Sequence, residues 1–117
     1  TNPIILGILA AVAVPKYYDL QQDAQEKAAM AVVAEVQARV NLKFGQELLA
    51  GKSCTVAQGL AEALVTSTTD LGGWTLTLGT KANSVYPISS ATPPGTNATA
   101  VTLTNANISI PACTQVN

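Results

Sequence analysis

The chain has no histidine. It therefore lacks the side chain that most often acts as a general base near neutral pH and most often ligates a transition metal. Cysteine is almost as scarce, with Cys54 and Cys113 alone. Without histidine or a third thiol, a four-ligand zinc site would need two carboxylates, and the spacing is not that of a C-x-x-C redox pair. A structural disulfide is the better reading, and it calls for an oxidising compartment. Charge is absent from most of the second half, where Lys81 is the one charged residue after Asp70. The net charge of −1 gives phosphate-backbone binding no electrostatic support, so no nucleic-acid partner is expected. The aromatics are Tyr17, Tyr18, Phe44, Trp74 and Tyr86, too few and too scattered for a conductive stack. There is no nucleophile–base pair, no paired acids in the second half and no phosphate-binding loop. The chain is therefore read as non-enzymatic, with no cofactor and no metal.

What is present is concentrated at the start. A length of 117 residues allows one domain with a modest core. Asn2 and Pro3 read as an N-cap followed by proline at the first helical position. Residues 4–14, IILGILAAVAV, form an uninterrupted apolar run. Its eleven residues fall short of the about 20 needed to span a bilayer. The run can anchor shallowly or pack on a partner. No signal peptide precedes it although a disulfide calls for export, so the sequence reads as a mature or truncated form. Pro15 should kink or loosen the helix. Beyond it, Val33, Val36, Val40, Phe44 and Leu48 recur every three or four residues as one core-facing stripe. Asp23–Lys27, Glu35–Arg39 and Lys43–Glu47 are opposite charges four residues apart, a solvated face. Gly51 is the natural stop.

The period then changes. Thr55 and Gln58 have capping-box spacing and should open a short helix ending near Val65. Gly72 and Gly73 read as a turn before Trp74, itself read as core. Residues 74–78, 100–104 and 107–110 alternate apolar and polar, as half-buried strands do. Residues 84–89 read as a strand that Pro87 confines to an edge. Residues 90–97, centred on Pro93, Pro94 and Gly95, read as a loop. Asn105 and Ala106 sit where a tight turn would join the last two strands. The fold class expected is α+β: a long N-terminal helix packed on a small antiparallel sheet. Residues 1–24 form a protruding apolar helix and residues 25–117 a head.

The segment from Leu6 to Gln21, LGILAAVAVPKYYDLQ, resembles the N-terminal helix of type IV pilins. The likeness lies in the G-I-L-A stretch from Gly7, the helix-breaking Pro15, and the aromatic pair Tyr17 and Tyr18 entering the head. The flavour from Pro15 to Gln21, with Asp23 to Gln25 following, is similar to the mannose-sensitive haemagglutinin class. The specific match covers about 25 residues; the remainder agrees in architecture only. Members of that family begin further upstream, with a phenylalanine and, four residues later, a glutamate. Here Thr1, Asn2 and Pro3 stand where apolar residues would continue.

The resemblance implies a structural subunit of an extracellular type IV pilus, serving adhesion or motility. Copies would assemble through Ile4, Ile5, Leu6, Gly7, Ile8, Leu9, Ala10, Ala11, Val12, Val14 and Pro15. It also implies a homopolymer, an inner-membrane precursor pool and a pilus-assembly machinery as partner. The alternative is a pseudopilin of type II secretion, whose major members carry a calcium site built from carboxylates. Calcium wants several hard oxygen ligands, and no acid follows Asp70, which favours the pilus. The sequons at Asn97 and Asn107 matter only where an N-glycosylation system operates.

Overall fold

The computed structural model describes the backbone of residues 3–67 and 70–113, and the side chains of residues 22–67 and 70–113. Helix α1 spans Pro3–Leu49, 47 residues, about 70 Å at the α-helical rise. It is not interrupted at Pro15. Proline removes one intrahelical bond there, and the turns on either side continue the helix. The glycine stop is as expected. Gly51 has φ +90°, its N–H donates to the Leu48 carbonyl, and the Lys52 N–H donates to the Glu47 carbonyl, closing the last turn.

Helix α2 spans Cys54–Thr66. The expected capping box at Thr55 is not formed. The cap is Ser53, whose hydroxyl accepts from the Val56 N–H, two residues earlier than the sequence suggested. Starting the helix there puts Cys54 in its first turn, within reach of the chain end, and frees Gln58 for a tertiary contact.

The sheet comprises β1 (Thr75–Leu78), β2 (Val85–Thr92), β3 (Val101–Thr102) and β4 (Asn107–Ser109). Every pairing is antiparallel. Strand β2 is central, with β1 on one side and both β3 and β4 on the other. The edge position expected from Pro87 is therefore a correction. Pro87 faces the end of β1, where its carbonyl accepts from the Gly79 N–H at 2.7 Å and the ladder has already ended. A proline lacking an N–H costs nothing at such a local edge. Gly79 is needed for the close approach, since a Cβ there would sit 2.8 Å from the Pro87 ring.

The expected tight turn at Asn105 and Ala106 is also corrected. β3 and β4 do not form a hairpin; they follow one another along the same side of β2. Between them Leu103 to Ala106 oppose only Ile88 and Ser89, so residues 104–105 bulge outward, with Asn105 at φ +58°. The bulge returns Ala106, Ile108 and Ile110 to the core face. The true tight turn is Ala82 to Val85, where Asn83 and Ser84 both have positive φ and two backbone bonds close the hairpin.

Among the described residues, the core residues of α1 are Ala29, Val33, Val36 and Val40, packed with Ala61 and Val65 of α2 and with Ile88, Ala91 and Ile108 of the sheet. Phe44 and Trp74 are half-buried against this cluster. The expected stripe runs out after Phe44. Leu48 is 40% exposed, whereas Glu47, one residue earlier, is 9% exposed. With 3.6 residues per turn a 3–4 stripe drifts around the helix. At its last turn α1 presents Glu47 inward, where Lys52 and Lys43 compensate its charge at 3.1 and 3.9 Å.

Candidate functional site

The best-defined constellation fastens the chain's C-terminal segment to both helices. Cys54 and Cys113 are joined as a disulfide across 59 positions. One turn along α2, Gln58 donates from Nε2 to the Pro111 carbonyl at 2.8 Å. On α1, Gln37 accepts from the Ser109 N–H at 2.8 Å and donates to the Ser109 carbonyl at 2.9 Å. A primary amide offers the same donor–acceptor pair as a peptide unit. Gln37 thus replaces the neighbouring strand that β4 lacks and closes that sheet edge. Its second Nε2 hydrogen reaches Asn41 Oδ1 at 3.1 Å.

A second cluster joins α2 to the start of β2. Glu62 Oε2 accepts from Lys81 Nζ and from the Tyr86 hydroxyl, both at 2.6 Å. The Lys81 ammonium lies 5.8 Å from the Tyr86 ring centroid. Hydrogen bonds from Lys81 and then Tyr86 hold the Glu62 carboxyl below its ordinary value of 4.5. The same bonds hold Lys81 above 10.5 and Tyr86 above 10.0. The carboxylate, the ammonium and the phenol are partnered within the cluster, which ties α2 to β2. The three expected helix pairs form, at 3.1 Å for Asp23–Lys27, 3.3 Å for Glu35–Arg39 and 3.9 Å for Lys43–Glu47.

Among the described residues, two depressions open to solvent stand out. One, of about 230 Å³, lies between α1 and the turn at residues 70–72, and Arg39 crosses it to the Asp70 carbonyl at 2.7 Å. The wider one, of about 690 Å³, lies between Gln22, Gln25 and Glu26 and the loop from Pro93 to Thr102. Amides, hydroxyls, one carboxylate and the prolines and alanines of the loop line it, with no basic group among the described residues. Among the described residues no three histidine, cysteine, aspartate or glutamate side chains gather as a metal site. No helix among them is long and apolar enough to cross a membrane.

The assembly residues taken from the sequence, residues 4–12 and Val14 and Pro15, have side chains outside the described residues; their backbone belongs to α1. Sequence reasoning found the disulfide and missed both glutamines. A glutamine carries no periodic signal, and its partners here lie 72 and 53 residues away. It also missed a second apolar face on α1. Leu42 is 63% exposed and Leu49 91%, on the side of the helix opposite Val33, Val36 and Val40. Comparison with known protein families, with curated proteins and with solved structures found no match.

Proposed function

We propose that this chain is a filament subunit of the type IV pilin kind, a structural protein that polymerises through its apolar N-terminal helix on the bacterial surface. One observation carries the reading. Among the described residues, the single helix of 47 residues supplies the head's core from Ala29 to Val40, and the start of the same helix, residues 4–14, is wholly apolar in sequence. A contiguous apolar segment of this size needs lipid or protein around it. In the membrane it holds the precursor; in the filament it packs on other copies. The assembly machinery is the remaining partner the reading requires.

Sedimentation and electron microscopy of the chain beside Ile8→Asp test this. The parent should form filaments or oligomers. The variant should stay dispersed with its head folded and its disulfide intact. Equal assembly of both would remove the physical basis of the reading. The pseudopilin alternative is separated by calcium. The head's melting temperature should be the same in EDTA and in millimolar calcium, and a rise of several degrees would favour the pseudopilin.

A further inference from the structure

The two edges of the sheet differ. On the β4 side Gln37 pairs with Ser109 and closes the edge. On the other side β1 pairs with β2 alone, and no described strand lies along its outer edge. Hydrogen bonds fix which groups that edge presents. The Thr77 carbonyl accepts from Ser89 Oγ at 3.2 Å, and the Gly79 N–H donates to the Pro87 carbonyl, so residues 77 and 79 point toward β2. Backbone direction alternates along a strand, so the N–H and C=O groups of Leu76 and Leu78 point away from β2. The register shift opposite Thr77 and Leu78 places the extra residue, Ser89, on β2 and leaves β1 regular. The strand reads Thr-Leu-Thr-Leu, without the charge or proline that usually guards an edge. Leu76 and Leu78 are half-buried against the core, and Thr75 and Thr77 are exposed on the other face.

We infer that this edge takes the β1 strand of a second copy of the chain, antiparallel, about a two-fold axis at Thr77. The inference uses the head alone and does not rest on the filament reading. An extended chain is what meets the outward N–H and C=O groups of a strand edge, and β1 meets its own copy in one register. With Leu76 opposite Leu78 of the second copy, and the reverse, each pair exchanges both backbone bonds. A shift of two residues one way would need the Trp74 N–H, which already donates to the Leu71 carbonyl. A shift of two the other way would pair Leu76 with Thr80, past the end of the strand. A shift of one would set leucine opposite threonine and turn an apolar face to water. In the remaining register the leucines of both copies lie on one face and cover each other's exposed flanks, while the threonines form a hydroxyl row on the other. Charge agrees with the direction. Asp70 precedes β1 and Lys81 follows it. Antiparallel copies bring the acidic end of one against the basic end of the other, and parallel copies would set like against like. Such a contact is isologous and closes at two copies. It is small, so it strengthens where many heads are displayed together.

Single cysteines in the full chain test this, in mild detergent so that the apolar run stays apart. The native cysteines are paired, so an introduced thiol is the free one. Across the two-fold, residue 77 and its copy form a non-hydrogen-bonded pair with Cα atoms about 4.5 Å apart, within disulfide reach. Residue 75 and its copy would lie about 14 Å apart, beyond it. Thr77→Cys should therefore yield disulfide-linked dimer on the order of tenfold above Thr75→Cys, a position exposed on the same face. In the parent, hydrogen exchange of the Leu76 and Leu78 amides should slow as the concentration rises from micromolar to millimolar. The Gly79 amide, already bonded, should not change. Thr77→Lys sets like charges opposite each other and should abolish that dependence while the head's melting stays the same. Equal dimer yields from the two cysteines, or Leu76 and Leu78 amides that exchange alike at every concentration, would overturn the inference and leave the filament reading untouched.

Discussion

At one flank of the sheet, β4 and the residues after it meet the helices through a disulfide and two glutamine amides. At the other flank, β1 follows a turn in which Leu71 is buried and Trp74, Leu76 and Leu78 are half-buried. The first flank adds specific ties to the buried Ala106, Ile108 and Ile110; the second rests on apolar contact that, beyond Leu71, is only half-buried. Strand length explains the contrast. β3 and β4 have two and three residues, too few to hold a chain end against its conformational entropy. A cross-link and side-chain amides supply what a longer ladder would.

Removing the cross-link should give the largest effect. Cys54→Ser with Cys113→Ser frees a loop of 59 positions, worth about 4 kcal/mol in the chain-entropy account. Urea denaturation measures the loss, and hydrogen exchange should show the Ser109 and Ile110 amides opening before those of β1. A loss under about 1 kcal/mol would mean the flank is held by its amides and its core residues instead.

Next comes Ile108→Ala. Ile108 is fully buried, and its truncation should cost about 2–4 kcal/mol by urea midpoint. Leu76→Ala, at a half-buried position of β1, should cost less. The reverse order would overturn the contrast between the flanks. Gln37→Ala should be smaller, about 1 kcal/mol, because water can replace the amide at this exposed edge. Its local signature is faster exchange of the Ser109 amide.

The difference between the flanks also explains what was legible in the sequence. Alternation marked residues 74–78, 100–104 and 107–110 because a sheet with one wet face repeats every two residues. The valines of α1, its three ion pairs and Gly51 were equally plain, since each is a signal over three or four positions. The cysteines stood out because there were only two. Gln37, Gln58 and the pairing of Lys81 with Glu62 were not legible, as each joins positions far apart and their residue types are ordinary on any surface. Pro87 misled because a rule about whole strands met a strand flanked by β1 along only part of its length. Thr55 misled because Ser53, two residues earlier, has the same capping chemistry. The second apolar face of α1 was hidden for a different reason: leucines on a helix read as propensity until the sheet shows which side is already covered.

The smallest predicted effect concerns the tie between α2 and the central strand β2. Glu62 joins α2 to β2 through Lys81 and Tyr86. Because the fold lowers the Glu62 pKa below 4.5, its contribution is fully present above that value and is lost as the pH falls through the lowered one. Because the fold raises Tyr86 above 10.0 and Lys81 above 10.5, their contribution is present below those values. It is lost as the pH rises through the raised ones. The difference in urea midpoint between the parent and Glu62→Gln should therefore be flat from about pH 5.5 to about pH 9 and shrink on both sides. Added salt should reduce it, since Lys81 is exposed to solvent. Tyr86→Phe removes the phenol and leaves the ammonium–carboxylate pair. Its own difference from the parent should fade at high pH, and the variant should retain the acid limb. A difference that grows on acidification would show that the carboxylate is strained by the fold, and that the tie between α2 and β2 is made by Tyr86 packing alone.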